Sequence, residues 1–311
     1  MMIGKHSRIY VAGHLGMAGS AIVRRLRAGG YQNLLLRTRA ELDLLDQGAV
    51  RSWMQRERPE YVFHAAGKVG GIAANDRERA AFLYENLVLE TNVIHAAWEA
   101  GVAGLLFLGS SCIYPRDCAQ PIREEYLLTG PLEQTNEPYA IAKIAGVKLC
   151  ESYQRQYGAK FVALMPTNLY GPNDNYDLES SHVLAALLRK AHQAKVGGER
   201  RLVVWGSGKP RREFLHADDL ADACVFVMEH KVGDGLFNVG TGTDITIREL
   251  AEIILQTVGL DGEIEFDATR PDGTPRKLLD VSRMKALGWS ARIDLQAGIR
   301  SAYEDLRSSL R

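Results

Sequence analysis

The chain has no excess of charge of either sign and no long hydrophobic run, and each absence excludes a class of function. Its 311 residues contain 38 Lys and Arg and 38 Asp and Glu, so the formal net charge at pH 7 is zero. A neutral chain has no overall field that attracts nucleic acid or an anionic membrane. No apolar run is long enough to span a bilayer, and the first residues lack a signal-peptide core. We therefore expect neither a nucleic-acid nor a membrane partner.

Cysteine is scarce, and its spacing fits neither a metal site nor a disulfide framework. The four cysteines are Cys112, Cys118, Cys150 and Cys224. Free thiols of this kind are typical of a reducing compartment. We therefore expect a cytoplasmic protein without a metal. The chain also has no internal repeat and no low-complexity segment, and its length suits one large α/β domain plus a smaller one.

The most informative stretch is the predicted helix 137–157. Pro138 suits a first helical turn, and Gly158 supplies a left-handed stop. Apolar residues recur between them at helical spacing and predict one buried face; they are Ile141, Ala145, Val147, Leu149 and Tyr153.

Tyr139 and Lys143 lie four residues apart and therefore point the same way from the first turns of this helix. An ammonium fixed beside a phenol stabilises the ionised phenol and lowers its pKa from about 10. Reduction of a ketone needs such a proton donor, because hydride reaches carbon while a proton must reach oxygen. The alternative interpretation of this pair alone is a surface tyrosine with a helical lysine.

A glycine-rich turn follows the first predicted strand, 8–12, and precedes a helix that ends near residue 28. The backbone amides of such a turn approach a pyrophosphate at the positive end of the helix. The loop comprises Gly13, His14, Leu15, Gly16, Met17, Ala18 and Gly19. Its position favours dinucleotide binding over a glycine turn without a ligand.

Arginine follows the second predicted strand, 34–36, where NAD-binding sites usually place a carboxylate. Arg39 or Arg37 would accommodate the extra phosphate of NADP. The alternative is a solvated loop arginine. A third strand, 61–66, and a helix, 80–100, continue the alternation, and this helix is apolar on more than one side. Such a helix packs against its own sheet or also against a second subunit.

Ser110 follows the strand 105–108, at the edge where open parallel sheets bind ligands. It is placed to hydrogen-bond a substrate carbonyl, although a serine here is alone more often a turn residue. Alternating strands, glycine turns and helices, followed by a serine and Tyr-x-x-x-Lys, resemble an extended short-chain dehydrogenase/reductase. Within that group four strings resemble the family of GDP-L-fucose synthases: 109–115 (GSSCIYP), 136–146 (NEPYAIAKIAG), 166–172 (PTNLYGP) and 271–277 (PDGTPRK).

The resemblance covers essentially the whole chain and implies a fold and an activity. The fold would be α/β, a Rossmann-type doubly wound parallel sheet with a smaller C-terminal α/β substrate domain. Residues 1–171, with a returning segment near 213–241, would bind NADP, and residues 172–212 and 242–311 would bind the nucleotide sugar. The activity would be NADPH-dependent conversion of GDP-4-keto-6-deoxymannose to GDP-L-fucose by two epimerisations and a reduction. Family members pair through helices, which implies a homodimer through helices 80–100 and 137–157.

The resemblance also assigns residues to roles. Beyond the glycine loop and Arg39, the cofactor site would include Leu108, Gly109, Ser110, Ser111, Lys143, Pro166, Thr167, Asn168, Leu169 and His182. The nucleotide sugar would contact Lys190, Trp205, Arg212, Asp272 and Lys277. Family members often carry an arginine within the glycine loop, where this chain has Leu15. The preference for NADPH therefore depends mainly on Arg39.

Inversion of the carbons beside a carbonyl needs an acid and a base on opposite faces. Cys112 and His182 are the candidates beyond Tyr139, Lys143 and Ser110, and no metal is needed. A 4,6-dehydratase would want an acidic pair after the serine, where this chain has Ser111 and Cys112. A 4-epimerase recycles bound NAD, which Arg39 disfavours. A catalytically silent NADP-binding sensor is the alternative from another class, since a fold alone does not establish activity.

Overall fold

The computed structural model describes residues 3–230, 235–270 and 272–310. Pro271, the first residue of one string quoted above, lies outside the described residues. The strands are β1 (Ile9–Ala12), β2 (Leu34–Leu35), β3 (Tyr61–His64), β4 (Gly104–Leu108), β5 (Phe161–Pro166), β6 (Asn168–Tyr170), β7 (Arg201–Trp205), β8 (Arg211–Arg212), β9 (Phe214–His216), β10 (Gly235–Val239), β11 (Ile245–Thr246), β12 (Glu263–Asp267) and β13 (Arg276–Lys277). The helices are α1 (Met17–Ala28), α2 (Gln47–Glu57), α3 (Ile72–Arg77), α4 (Arg79–Glu99), α5 (Glu137–Tyr157), α6 (Val183–Gly197), α7 (Ala217–Glu229), α8 (Ile247–Val258), α9 (Ser282–Ala286) and α10 (Leu295–Ser309).

Among the described residues, six strands form one parallel sheet in the order β2-β1-β3-β4-β5-β10. Its strands are almost wholly apolar because helices cover both faces, with α1 and α7 on one side and α4 and α5 on the other. The strand order reverses between β1 and β3, and ligands of such sheets bind at the carboxyl ends beside that point. The predicted doubly wound α/β fold is confirmed.

Helix α5 has the predicted bounds, but its buried face is only partly the predicted one. Pro138 lies in its first turn, and Gly158 ends it at φ 69°. Val147 is fully buried, whereas Ile141 is 42% exposed and Ala145 is only half-buried. The close packing of α4 against α5 instead buries small residues such as Ala142 and Gly146. The half-exposed stripe therefore faces away from this chain's own core.

A third apolar cluster lies under α6, α8 and α10, next to the parallel pair β7 and β12. Helix α8 begins with a capping box, in which Thr246 and Glu249 each satisfy the other's backbone N–H. His216 caps α7. The boundaries predicted between the two functional parts of the chain stay a prediction.

Candidate functional site

The glycine loop joins β1 to α1 and depends on two glycines in different ways. Gly13 has φ 81°, and a Cβ there would lie 2.7 Å from the backbone of Ala66 at the end of the neighbouring strand. A Cβ at Gly19 would collide with the carbonyl group of Gly13. Both positions therefore require glycine, so that the loop curls tightly over the first turn of α1. Met17, Ala18 and Gly19 form that turn, whose backbone N–H groups point at the loop.

A cavity of about 370 Å³ opens beside this loop, at the carboxyl edge of β1, β2 and β3. The loop residues Gly13, His14, Leu15 and Gly16 line one side of it, and the segment 37–45 lines the other. Its position is that of the dinucleotide in doubly wound sheets. A side chain at either critical glycine would collide with backbone and displace the loop that lines this cavity.

The two candidate arginines for the phosphate of NADP are not equivalent. The guanidinium of Arg37 donates a hydrogen bond of 2.8 Å to the carbonyl of Leu36 and lies 4.0 Å from Glu57. The side chain of Arg39 is 71% exposed and lies 3.7 Å from the carboxylate of Asp43. Arg39 therefore lines the cavity with most of its side chain in solvent, and its contact with a phosphate stays a prediction.

The three residues proposed for reduction meet at the carboxyl end of β4. Ser110 directly follows this strand, and its hydroxyl hydrogen-bonds the phenol of Tyr139. The ammonium of Lys143 donates a hydrogen bond of 3.0 Å to the carbonyl of Leu108. The amide of Gly109 donates to the carbonyl of Leu164 on β5, which fixes the strand end that carries the serine. Ser111 is buried immediately beside it.

The expected effect of Lys143 on Tyr139 is wrong for the protein as it stands. Burial raises the pKa of the Tyr139 phenol well above its ordinary value, and Cys112 and Glu90 raise it further. The ammonium of Lys143 lies 2.9 Å from the carboxylate of Glu90, and both side chains are buried. The ammonium of Lys143 therefore has an acidic partner on α4, and burial raises the pKa of that partner's carboxyl group.

The segment after β5 forms the far wall of the same edge. Pro166 ends the strand, and the hydroxyl of Thr167 donates a hydrogen bond of 3.2 Å to the carbonyl of Glu213. The side-chain amide of Asn168 donates to the same carbonyl at 2.8 Å. Leu169 follows in β6 and packs against the core cluster under α1 and α7. These four residues were predicted to line the nicotinamide end of the cofactor site.

Lys277 links Cys112 and His182: its ammonium contacts the first, and its charge acts on the second. The ammonium of Lys277 lies 3.4 Å from the sulfur of Cys112, although 165 residues separate them. His182 is exposed at the surface; desolvation of the imidazole lowers its pKa, and the charge of the same ammonium lowers it further. His182 precedes α6, and its side chain makes no capping hydrogen bond. The imidazole is thus free for another role, and it is neutral at neutral pH.

The predicted nucleotide-sugar residues surround the outer part of this cleft. Trp205 is 48% exposed, and the cations of Lys190 and Arg270 lie 4.7 and 4.8 Å from its ring. Burial lowers the pKa of the Lys190 ammonium, and the positive charge of Arg270 adds to this effect. An aromatic ring between two cations suits a flat base or an anionic group.

Arg211 and Arg212 follow one another in β8 but have different surroundings. Arg211 is paired with Asp244 at 2.9 Å. Arg212 is half-buried, and the charges of Cys112 and Asp272 act on its guanidinium. Both carboxylate oxygens of Asp272 accept hydrogen bonds from Ser207, at 2.6 and 2.8 Å. Asp272 therefore first stabilises the loop after β7, and its contact with a substrate stays a prediction.

The sequence did not predict the buried polar residues that hold the backbone around the site in place. Glu90 and Asn86 lie on α4, a helix interpreted only through its apolar residues. The side-chain amide of Asn86 accepts a hydrogen bond from the backbone N–H of Lys68, which follows β3, and donates one to the carbonyl of Lys68. The buried carboxylate of Glu213 accepts the amides of Gly242 and Leu279. The one sign of these residues in the sequence is a charged or amide side chain at a helix or strand position whose neighbours are apolar.

Within the described residues, no cluster of His, Cys, Asp and Glu could hold a metal ion. The helices of that same part of the chain include none that is long and apolar enough to cross a membrane.

Comparisons with known proteins agree with this geometry. The family model described as "NAD dependent epimerase/dehydratase family" matches residues 9–240. GDP-L-fucose synthase 1 of Arabidopsis thaliana is 55% identical over 97% of this chain and 94% of its own length. GDP-L-fucose synthase of Escherichia coli K12 is 55% identical over 96% of this chain and 95% of its own. A GDP-L-fucose synthetase from Naegleria fowleri, solved with NADP bound, superposes with a TM-score of 0.91 at 25% identity, covering 100% of this chain and 97% of that one.

The family model spans most of the chain, and the identity to the named synthases extends almost from end to end. The chain therefore belongs to the NAD dependent epimerase/dehydratase family and, within it, to the GDP-L-fucose synthases.

Proposed function

We propose that this protein converts GDP-4-keto-6-deoxymannose to GDP-L-fucose, with NADPH as the reductant. The observation that carries the proposal is the meeting of two groups of residues at one sheet edge. Ser110, Tyr139 and Lys143 supply what a carbonyl reduction needs, and Cys112 with His182 supplies what an epimerisation needs. An ordinary reductase has no use for the second group.

NADPH fits the cavity beside the glycine loop and supplies hydride to the carbonyl carbon when bound. The amides of residues 13–19 would hold its pyrophosphate, and Arg39 would pair with the extra phosphate. Residues 108–111 and 166–169, at the carboxyl ends of β4 and β5, would border the nicotinamide ring. Relatives named GDP-L-fucose synthase and the NADP-bound structure of Naegleria fowleri support this choice of cofactor.

Epimerisation begins with the hydrogens on the two carbons that flank the carbonyl, which the carbonyl makes acidic. A base removes one proton, and the electron pair passes to the carbonyl oxygen as an enolate. Ser110 and Tyr139 lie at the sheet edge where they can hydrogen-bond that oxygen. A proton returned from the opposite face inverts the carbon, so a group is needed on each face.

Cys112 and His182 are the two groups proposed for these proton transfers. The ammonium of Lys277 lies 3.4 Å from the Cys112 sulfur. The lowered pKa of His182 leaves its imidazole neutral at pH 7, so that it accepts a proton readily. In the reduction that follows, the Tyr139 phenol gives its proton to the carbonyl oxygen.

Two alternatives on the same fold fit less well. A 4,6-dehydratase needs acidic residues after the active-site serine, and the structure places Cys112 there instead. A 4-epimerase must first oxidise its substrate, which needs an ionised tyrosine, whereas burial and nearby acidic groups oppose ionisation of Tyr139. Another epimerase/reductase of this family, acting on a related GDP sugar, is the alternative that the site admits.

We also propose that the protein is a homodimer, that different parts of the chain bind the cofactor and the nucleotide sugar, and that the protein is cytoplasmic. The half-exposed stripe of α5, with Ile141 and Ala145, and the 65% exposed Tyr84 of α4 form an apolar surface suited to a second copy. Residues 1–171 and 213–241 would hold the cofactor, and residues 172–212 and 242–311 the nucleotide sugar. The location would be the cytoplasm. Light scattering at working concentration tests the dimer, and a monomeric mass rejects it.

Product identification tests the proposed function. The purified protein is incubated with GDP-4-keto-6-deoxymannose and NADPH, and the product is identified by NMR. We expect GDP-L-fucose and one NADPH oxidised per product. A 6-deoxy sugar that retains the substrate's configuration beside the carbonyl would reject the epimerase assignment. Absence of any NADPH oxidation would favour the silent sensor.

A further inference from the structure

The loop after β3 is in direct contact with the segment before α6, although the two lie far apart in the sequence. The backbone N–H of Gly71 donates a hydrogen bond of 2.7 Å to the carbonyl of Ser180. His182 is the second residue after Ser180 and directly precedes α6. This bond therefore joins the loop after a strand of the parallel sheet to the segment that carries a residue proposed for proton transfer.

The contact is so close that it requires glycine in the first loop. A Cβ at Gly71 would lie 2.6 Å from the carbonyl oxygen of Ser181 and 3.4 Å from that of Ser180. The φ of Gly71 is −66°, which any residue can adopt, so glycine serves the close approach rather than the backbone conformation. A larger residue at this position would push the two segments apart.

Asn75 of α3 fixes the peptide unit that makes this bond. Its side-chain amide donates hydrogen bonds of 2.7 Å to the carbonyl of Gly70 and 3.0 Å to that of Gly71. The carbonyl of Gly70 and the N–H of Gly71 belong to one planar peptide unit, so a bond to the first sets the direction of the second. Asn75 is 5% exposed, and its side-chain oxygen has no partner among the described residues. Its contribution to the loop therefore comes from its two amide hydrogens.

The accepting carbonyl is held in place from its own side. The carboxylate of Asp177 accepts hydrogen bonds from the N–H of Ser180 at 3.0 Å and from its hydroxyl at 2.8 Å. The N–H of Ser181 donates to the carbonyl of Asp177 at 2.9 Å. The exposed imidazole of His182 makes no capping hydrogen bond, so its place depends on the backbone that carries it.

We propose that Asn75 is a positioning residue for His182: its amide aims the Gly71 N–H at the Ser180 carbonyl, and this bond sets where the imidazole lies. The inference deepens the proposed function and rests on it, because it assumes that His182 transfers a proton. Misplacement of a reacting group by about 1 Å can cost on the order of 10²-fold in rate. Loss of Asn75 should therefore slow epimerisation and spare hydride transfer, for which His182 is not needed.

Asn75→Leu tests this role because it removes both donors and keeps a side chain of similar size. The measurement is incorporation of solvent deuterium at the carbons beside the carbonyl. We expect incorporation to fall by about 10- to 100-fold, while NADPH binding stays near normal. Asn33→Leu is the matched control, since the Asn33 amide also donates a 2.7 Å hydrogen bond to a backbone carbonyl, that of His6, at the surface. Wild-type incorporation in Asn75→Leu would overturn the proposal.

A double variant distinguishes action through His182 from a general structural role. In a His182→Gln background, Asn75→Leu should lower deuterium incorporation no further, because the group that it positions is already absent. A further loss of the same size as in the wild-type background would show that Asn75 acts independently of His182. That result would overturn the proposal.

Gly71→Ala breaks the same contact without changing Asn75, and it serves if Asn75→Leu does not fold. We expect the same selective loss of deuterium incorporation. Gly197→Ala, at the end of α6, is the control because a Cβ there would meet open space. Wild-type incorporation in Gly71→Ala would show that the contact does not position His182, and would overturn the proposal.

Amide hydrogen exchange tests the contact without any sugar. In the full-length protein with NADPH bound, the Gly71 N–H should be protected from solvent. Asn75→Leu should speed its exchange by about 10-fold, as expected for the loss of roughly one hydrogen bond, and shift the NMR signals of the His182 imidazole. Unchanged Gly71 exchange and unchanged imidazole signals would overturn the proposal. Because no sugar is used, failure of the proposed activity would leave this result intact and distinguishable.

Discussion

The residues proposed for reduction and those proposed for epimerisation are built in different ways. Ser110, Tyr139 and Lys143 lie on β4 and α5, and a strand carbonyl and the buried carboxylate of Glu90 fix the lysine. Cys112, His182 and Lys277 lie on a short turn, a helix end and a two-residue strand, and they meet across the open cleft. Reduction would thus use the sheet edge proposed to bind the cofactor, and epimerisation would use segments that join only in the fold.

This contrast predicts that the two chemistries can be separated by substitution. Loss of a residue from the buried group should stop reduction, and loss of a residue from the cleft group should stop proton exchange while hydride transfer continues.

The largest effect is expected for Tyr139→Phe, which removes the proton donor and little else. Reduction should fall by about 10²- to 10⁴-fold, the usual contribution of a general acid. Binding of NADPH, followed by fluorescence, should stay near normal. Tyr157→Phe makes the same change at the exposed end of α5 and should leave the rate unchanged. Turnover of Tyr139→Phe within a few-fold of the wild type would assign proton donation to another group.

His182→Gln is expected to suppress proton exchange by about 10²-fold, since it removes one of the two transferring groups. The measurement is incorporation of solvent deuterium beside the carbonyl, followed by NMR. His192→Gln, on the same helix but bonded to Tyr303, is the control. Wild-type exchange in His182→Gln would return this histidine to the role of a helix-end residue.

Arg39→Asp should separate the two cofactors because it replaces attraction to the extra phosphate of NADPH by repulsion. We expect the KM for NADPH to rise by about 10- to 100-fold and that for NADH to change little, as for the loss of one charged hydrogen bond. Arg56→Asp, on the exposed face of α2, is the control. An equal loss for both cofactors would contradict the assignment.

The smallest effect concerns the charge of Lys277 on His182. The pKa of His182 is lowered, so the imidazole becomes protonated only below its ordinary value near 6.5. Lys277→Met removes the part due to the ammonium, and the His182 pKa should then rise toward its ordinary value. NMR titration of the imidazole measures this shift, with Lys148→Met as the control. A fall in the pKa would place the ammonium elsewhere.

Most of the residues proposed for reduction could be predicted from the sequence, because they lie on regular helices and strands. The glycine loop, Ser110 and the Tyr139–Lys143 pair each follow from their position on a predicted strand or helix. The sequence could not predict Glu90, since a glutamate within an apolar helix does not reveal the lysine that it meets from another helix. Burial of the phenol, followed by the charges of Cys112 and Glu90, opposes the expected effect of Lys143 on Tyr139.

The residues proposed for epimerisation were predicted mainly from the resemblance to the family of GDP-L-fucose synthases. No local pattern links Cys112 to Lys277 across 165 residues, and only the fold shows that their side chains lie 3.4 Å apart. Likewise, the sequence alone does not distinguish Arg211 from Arg212. The structure shows that Asp244 pairs with the first and that the second is half-buried.

The central claim is that proton exchange and hydride transfer use separate groups, and Cys112→Ser tests it most directly. A serine hydroxyl has nearly the shape of the thiol but is far too weak an acid to exchange protons near neutral pH. The variant is given GDP-4-keto-6-deoxymannose and NADPH in deuterated buffer, and NMR follows the carbons beside the carbonyl while NADPH oxidation is recorded. We expect suppressed deuterium incorporation with normal NADPH binding and slow reduction to a different 6-deoxy sugar. Deuterium incorporation at the wild-type rate would remove Cys112 from the mechanism and contradict the separation.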